Sequence, residues 1–131
     1  MGLWAAQLLT AAFLAILFLQ SGLDKVLDWK GNRAYLEGYF AKTPLRRLVP
    51  LLLPTITVLE VLAGVLSAAG VLSLAVTRSP LLAFLGALVA GAALLGLFLG
   101  MRLARDYAAA AGLVPYVLAA VGAVLVLGAS G

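Results

Sequence analysis

Five carboxylates and nine basic residues carry all the charge of this 131-residue chain, and one carboxylate, Glu60, lies within an apolar run over residues 48–77 that has no other charge. A carboxylate inside a membrane span costs about 2.5 to 3.5 kcal/mol on insertion scales, so it must face protein or water and is seldom left without a role. Thr57, Glu60, Gly64, Ser67 and Val71 follow one another at helical steps of three and four. They form one polar and small-residue face directed at a neighbouring helix. A carboxylate held there can exchange a proton or accept a hydrogen bond. Glu60 is therefore the candidate catalytic residue, with Lys25 or Arg102 as the cation that could pair with it. Asp24, Asp28, Trp29, Arg102 and Tyr116 are candidate binding residues, because all of them fall at span ends on the same membrane side. The rival reading makes Glu60 a structural anchor, neutral or paired with Lys25 or Arg102, that locks helix register.

Other chemistries are closed by composition. The chain has no cysteine and no histidine, which removes disulfides, thiol redox chemistry, thiolate metal sites and the commonest haem and copper ligand. No metal site is expected, and any redox role must use a diffusible cofactor. The net charge of +4 points in this apolar setting to anionic headgroups and not to nucleic acid.

The elements that must position these residues are membrane helices. Hydrophobic residues make up 65% of the chain, charged residues only 11%, and the mean hydropathy is +1.17. A soluble domain carries about 25% charged residues. The predicted fold is an all-α integral membrane bundle of four helices, spanning about residues 3–23, 54–76, 80–101 and 114–130 as one domain over residues 1–131. Pro54, Pro80 and Pro115 each suit the first turn of a helix, where a missing N–H is harmless, with Ser79 as the cap before Pro80. Gly112 closes any extension of the third helix. A cleaved signal peptide would need a basic residue before the first apolar run and a polar start after it, and neither is present.

Orientation follows from the basic residues. Lys25, Lys30, Arg33, Lys42, Arg46 and Arg47 lie between the first two spans, and Arg102 and Arg105 lie between the last two; only Arg78 is on the other side. The positive-inside rule puts both long loops in the cytoplasm and both termini outside. Within the first loop, residues 24–50, Asn32 can cap a short helix carrying Tyr35, Leu36, Tyr39 and Phe40 on one face and an Arg33–Glu37 pair on the other, the pattern of an interfacial helix. Thr43 and Pro44 open a further one-turn piece. Gln7, Thr10, Leu14, Leu17 and Ser21 form a seam on the first helix. Ala92, Gly96 and Gly100 form a small-residue stripe on the third, which predicts close contact within the bundle or between protomers.

Two stretches resemble a known family. The run Phe18-Leu19-Gln20-Ser21-Gly22-Leu23-Asp24-Lys25-Val26-Leu27-Asp28 is similar to the "SG..K..D" signature that ends the first helix of the DoxX family. The run Val58-Leu59-Glu60-Val61-Leu62-Ala63-Gly64, followed by Gly70 and Thr77-Arg78, is similar to its second-helix pattern. The resemblance covers roughly residues 13–80 and carries over Gly22, Lys25, Asp28, Glu60 and Gly64. It implies a multi-pass protein of the bacterial inner membrane that serves as an accessory subunit of a quinone-linked oxidoreductase or respiratory complex. Glu60 would then exchange protons with a quinone or quinol or hydrogen-bond it, Lys25 would set the charge state of Glu60, and Trp29, Tyr35 or Tyr39 would flank the ring. The implied partners are the lipid bilayer and either membrane-protein subunits or further copies of this chain. Two other classes remain: a structural or assembly subunit without a catalytic role, and a small proton-coupled exporter. The small multidrug resistance transporters carry their Glu on the first helix, unlike this chain.

Overall fold

The computed structural model describes residues 2–129, so the expected end of the last span at Ser130 lies outside the described residues. Its regular structure is helical: α1 (Gly2–Leu27), α2 (Trp29–Tyr39), a 3-10 turn (Pro44–Leu48), α3 (Val49–Thr77), α4 (Leu81–Leu103) and α5 (Tyr107–Gly128). The four long helices are each long and apolar enough to cross a membrane. α3 packs against α1 and α4, α4 packs against α5, and α1 touches α5 to close the ring. Short connections at residues 78–80 and 104–106 make these neighbours antiparallel.

The bundle is apolar throughout, but its inside and outside differ in residue size. The interior is rich in alanine, with Ala11, Ala63, Ala83, Ala87, Ala90, Ala93, Ala120 and Ala123 fully buried beside Leu14, Phe18, Leu53, Leu74 and Leu127. Large residues such as Leu9, Ile16, Leu72, Val76, Leu118 and Leu125 project outward. In water this arrangement would expose most of the hydrophobic surface. In lipid no hydrophobic force drives helices together, and small side chains let backbones approach until dispersion contacts hold them. This is the organisation of a multi-pass membrane protein whose flanks meet the bilayer.

Two span starts lie earlier than proline placement predicts. Pro54 falls inside α3, which begins at Val49 with Pro50 in its first turn. The 3-10 turn, capped by the Thr43 hydroxyl accepting from Leu45 N–H at 3.2 Å, runs directly into α3 and supplies its start. Either proline satisfies the first-turn rule, and only the upstream turn selects between them. Pro54 leaves the Pro50 carbonyl without its usual donor, close to the helix start. Pro115 likewise lies inside α5, which begins at Tyr107 because the Asp106 side chain accepts from Ala109 N–H at 3.2 Å. Gly112 is consequently within α5 and closes nothing. Pro80, not Ser79, occupies the cap position of α4, and no side chain caps that helix.

The connecting segment forms the expected amphipathic helix, with its start corrected. α2 begins at Trp29 under the Asp28 carboxylate, which accepts from Gly31 N–H at 3.3 Å, whereas Asn32 lies within the first turns and donates back to the Asp28 carbonyl at 2.8 Å. Tyr35 stacks on Tyr39 at 5.6 Å, Tyr39 meets Phe40 edge-on at 5.0 Å, and Arg33 pairs with Glu37 at 2.9 Å. Phe40 is 7% exposed, and its ring tip lies 3.2 Å from where a Cβ on Gly100 would stand. Within the small-residue stripe of α4, Gly100 receives an aromatic ring from the connecting segment, while Ala92 and Gly96 are exposed on the outer face of the bundle.

Candidate functional site

α1 and α3 approach so closely that each presents a glycine to the other's backbone. A Cβ on Gly64 would stand 2.8 Å from the backbone nitrogen of Leu19, and one on Gly22 would stand 2.8 Å from Val61 Cγ2 and 3.2 Å from Val61 N. The two helices are antiparallel, so the turn beyond this contact brings Lys25 of α1 beside Glu60 of α3. Lys25 Nζ is 3.0 Å from Glu60 Oε1 and donates a hydrogen bond to Oε2 at 3.2 Å. The side chain of Glu60 is 1% exposed and that of Lys25 is 17% exposed. The carboxylate is thus sealed from the surface, and its ammonium partner is largely covered as well.

The pair is incompletely satisfied. Oε1 faces the ammonium off its hydrogen-bonding direction and has no hydrogen-bond donor among the described residues. A buried carboxylate oxygen in that state can accept a further donor, and desolvation makes its electrostatic interactions stronger than they would be in water. Ser21 and Asp24, also on α1, lie close enough to act on Glu60. Counted at about 1.5 Å per residue from the true start of α3, Glu60 is roughly 16 Å along its helix, deeper than a start at Pro54 predicts. The polar face is real: Thr57, Glu60, Gly64 and Ser67 are all buried. The Thr57 hydroxyl donates to the Leu53 carbonyl at 2.7 Å, whereas the Ser67 hydroxyl has no partner among the described residues.

The remaining candidates divide. Of the two cations that could pair with Glu60, Lys25 does so; the Arg102 guanidinium lies over the Tyr107 ring at 4.5 Å. Asp24 is exposed and near the pair. Asp28 is the cap of α2, and Trp29 follows it, 37% exposed, at the start of that helix. Tyr116 stacks on Phe13 at 6.3 Å between α5 and α1. Tyr39 donates from its hydroxyl to Asp106 Oδ2 at 2.8 Å and Tyr35 is 65% exposed. Hence Lys25, Glu60, Ser21 and Asp24 form one cluster, while Asp28, Arg102 and Tyr116 are engaged elsewhere.

Some contacts were not anticipated. Asp106 holds Tyr39 and caps α5 at once; a carboxylate directly before a run of helix formers is a signal for such a cap. Gln7 donates to the Val126 carbonyl at 3.1 Å, and Trp4 Nε1 donates to the Leu74 carbonyl at 2.8 Å. The Arg78 guanidinium covers the Trp4 ring at 4.8 Å. These tie the helices together at the end opposite the long loop. Among the described residues, two surface cavities stand out. One, of about 190 Å³, is lined by Leu9, Thr10, Phe13 and Ala119; the other, of about 630 Å³, lies between the end of α2 and the α4–α5 turn. Neither is lined by Glu60 or Lys25.

No protein-family model, curated protein or solved structure matches the chain. The likeness to the DoxX family rests on the motif residues alone.

Proposed function

We propose that this protein is a DoxX-like subunit of the bacterial inner membrane that supplies a proton-exchanging pair, Glu60 with Lys25, to a quinone-linked oxidoreductase. The observation that carries the reading is the buried carboxylate whose only ionic partner among the described residues is a lysine 17% exposed, at the positions where the sequence resembles that family. The donor set fits a quinone or quinol: Glu60 Oε1 can accept from a hydroxyl, and the Lys25 ammonium can donate to a carbonyl oxygen. A quinone would supply the electron chemistry that the side chains of this chain lack. The ring would lie against the Lys25 side of α1, enclosed by a partner subunit. Lys25 is the ionic partner of Glu60, and its withdrawal toward a bound group would leave the carboxylate without a counter-charge and favour its proton uptake. The basic loops would place this cluster at the cytoplasmic side.

Isolation of the protein from native membranes tests the reading. Oxidoreductase subunits and a quinone should co-purify with it. Recovery of the chain with neither would defeat the proposal.

A second reading has its own support. The pair lies one turn beyond the Gly22 and Gly64 contacts, where an ion pair would also lock α1 against α3 and make the protein an assembly subunit. Turnover per assembled complex separates the two.

A further inference from the structure

The larger cavity lies outside the Glu60 cluster. Its walls come from two segments remote in sequence, the connection from α2 to the 3-10 turn and the turn from α4 to α5, and they carry Lys42 and Arg105. Neither cation has an acidic partner: among the described residues the ion pairs are Lys25–Glu60 and Arg33–Glu37. The nearby carboxylate, Asp106, is already occupied by the Tyr39 hydroxyl and the Ala109 N–H. Two cations without a salt bridge among the described residues therefore line one cleft.

The backbone at Arg105 carries a second observation. α4 ends with Asp106 N–H donating to the Met101 carbonyl and Arg105 N–H to the Arg102 carbonyl, at 2.9 and 3.1 Å. This six-to-one and five-to-two pairing puts its penultimate residue in the left-handed region, where glycine is the unstrained choice. Arg105 stands there with φ 60°. Arg78 adopts φ 59° at the end of α3, but its guanidinium has the Trp4 ring to cover. Arg105 has no such partner among the described residues. An arginine at a strained backbone position, with no partner among the described residues, leaves its guanidinium open to a group from outside the chain.

We propose that this cleft holds the phosphate of an anionic phospholipid, with Lys42 and Arg105 as its ligands. The neighbouring surface favours a lipid over a free anion. Leu103 lines the cleft and is 44% exposed, and Leu99, one helical turn away on α4, is 60% exposed. They make a continuous apolar path for an acyl chain from the cleft down the bundle flank. A zwitterionic headgroup would bring its own ammonium to a cleft whose lining residues include two cations and no carboxylate. The bound lipid would bridge the first loop and the α4–α5 turn.

The test measures lipid retention by native mass spectrometry of the full chain, together with its thermal midpoint, after exchange into phosphatidylglycerol, phosphatidylcholine or detergent with inorganic phosphate. Phosphatidylglycerol should be retained preferentially and should raise the midpoint; inorganic phosphate should do neither. Arg105→Gly suits the left-handed backbone, so the variant should fold with an unchanged or higher midpoint in detergent while binding phosphatidylglycerol about fivefold more weakly. Lys42→Gln should lose a similar factor. Lys30→Gln, a cation on α2 outside the cleft, should lose none. Equal retention of the two lipids, a matching effect of inorganic phosphate, or full affinity in Arg105→Gly would each overturn the proposal.

Discussion

Gly64 of α3 stands against the backbone of Leu19 in α1 so closely that a Cβ there would lie 2.8 Å from the Leu19 nitrogen. Backbone cannot yield as a side-chain tip can, so Gly64→Ala should separate α1 from α3 and destabilise the protein by about 1–3 kcal/mol. Gly96→Ala, where nothing lies within 4 Å, should be neutral or slightly stabilising, since alanine is the better helix former. Thermal unfolding of both variants in one detergent checks the contrast.

Much of this was legible in the sequence, and the failures have physical causes. The buried face through Glu60 follows from steps of three and four, whereas the choice of Lys25 over Arg102 comes from the close packing of α1 on α3 at Gly22 and Gly64. The span starts at Pro54 and Pro115 were misplaced because proline is admissible at the first turn of a membrane helix and also tolerated inside it. What selects between them, the Thr43 turn before α3 and the Asp106 cap before α5, is a contact between a side chain and an amide a few residues on. Arg102 and Tyr116 share an end of the bundle with Glu60. Sharing an end fixes depth but not azimuth, and their rings and charges are satisfied on other helices.

Asp28, not Asn32, caps α2. Asp28→Ala should destabilise α2 by about 1 kcal/mol and increase protease cleavage within residues 29–39 in vesicles. Asn32→Ala should have the smaller effect.

Tyr39 is pushed up from its ordinary 10.0 to about 12, first by burial and then by its hydrogen bond to Asp106 and the charge of that carboxylate, with Tyr35 adding a little. A phenol whose folded value is raised contributes stability that is fully present below about pH 10 and is lost as pH rises through about 12. The tie between α2 and α5 should thus hold across the physiological range and release only in strong alkali. Tyr39→Phe should abolish the late-titrating component of phenolate absorbance.

Membrane sidedness is directly measurable because the chain has no native cysteine. A cysteine at Ser79 should react with an impermeant maleimide added outside intact cells, and one at Lys30 should react only after permeabilisation. The opposite pattern would place the Glu60 cluster toward the outer leaflet.

The central claim is that Glu60 works and does not merely hold helices together. Glutamine keeps the volume of Glu60 and can still hydrogen-bond, but it cannot exchange a proton. The decisive measurement is quinone-linked turnover per assembled complex for Glu60→Gln, with Lys25→Met beside it. A fall of at least about tenfold with normal assembly is the predicted result; full turnover in fully assembled Glu60→Gln complexes would contradict it.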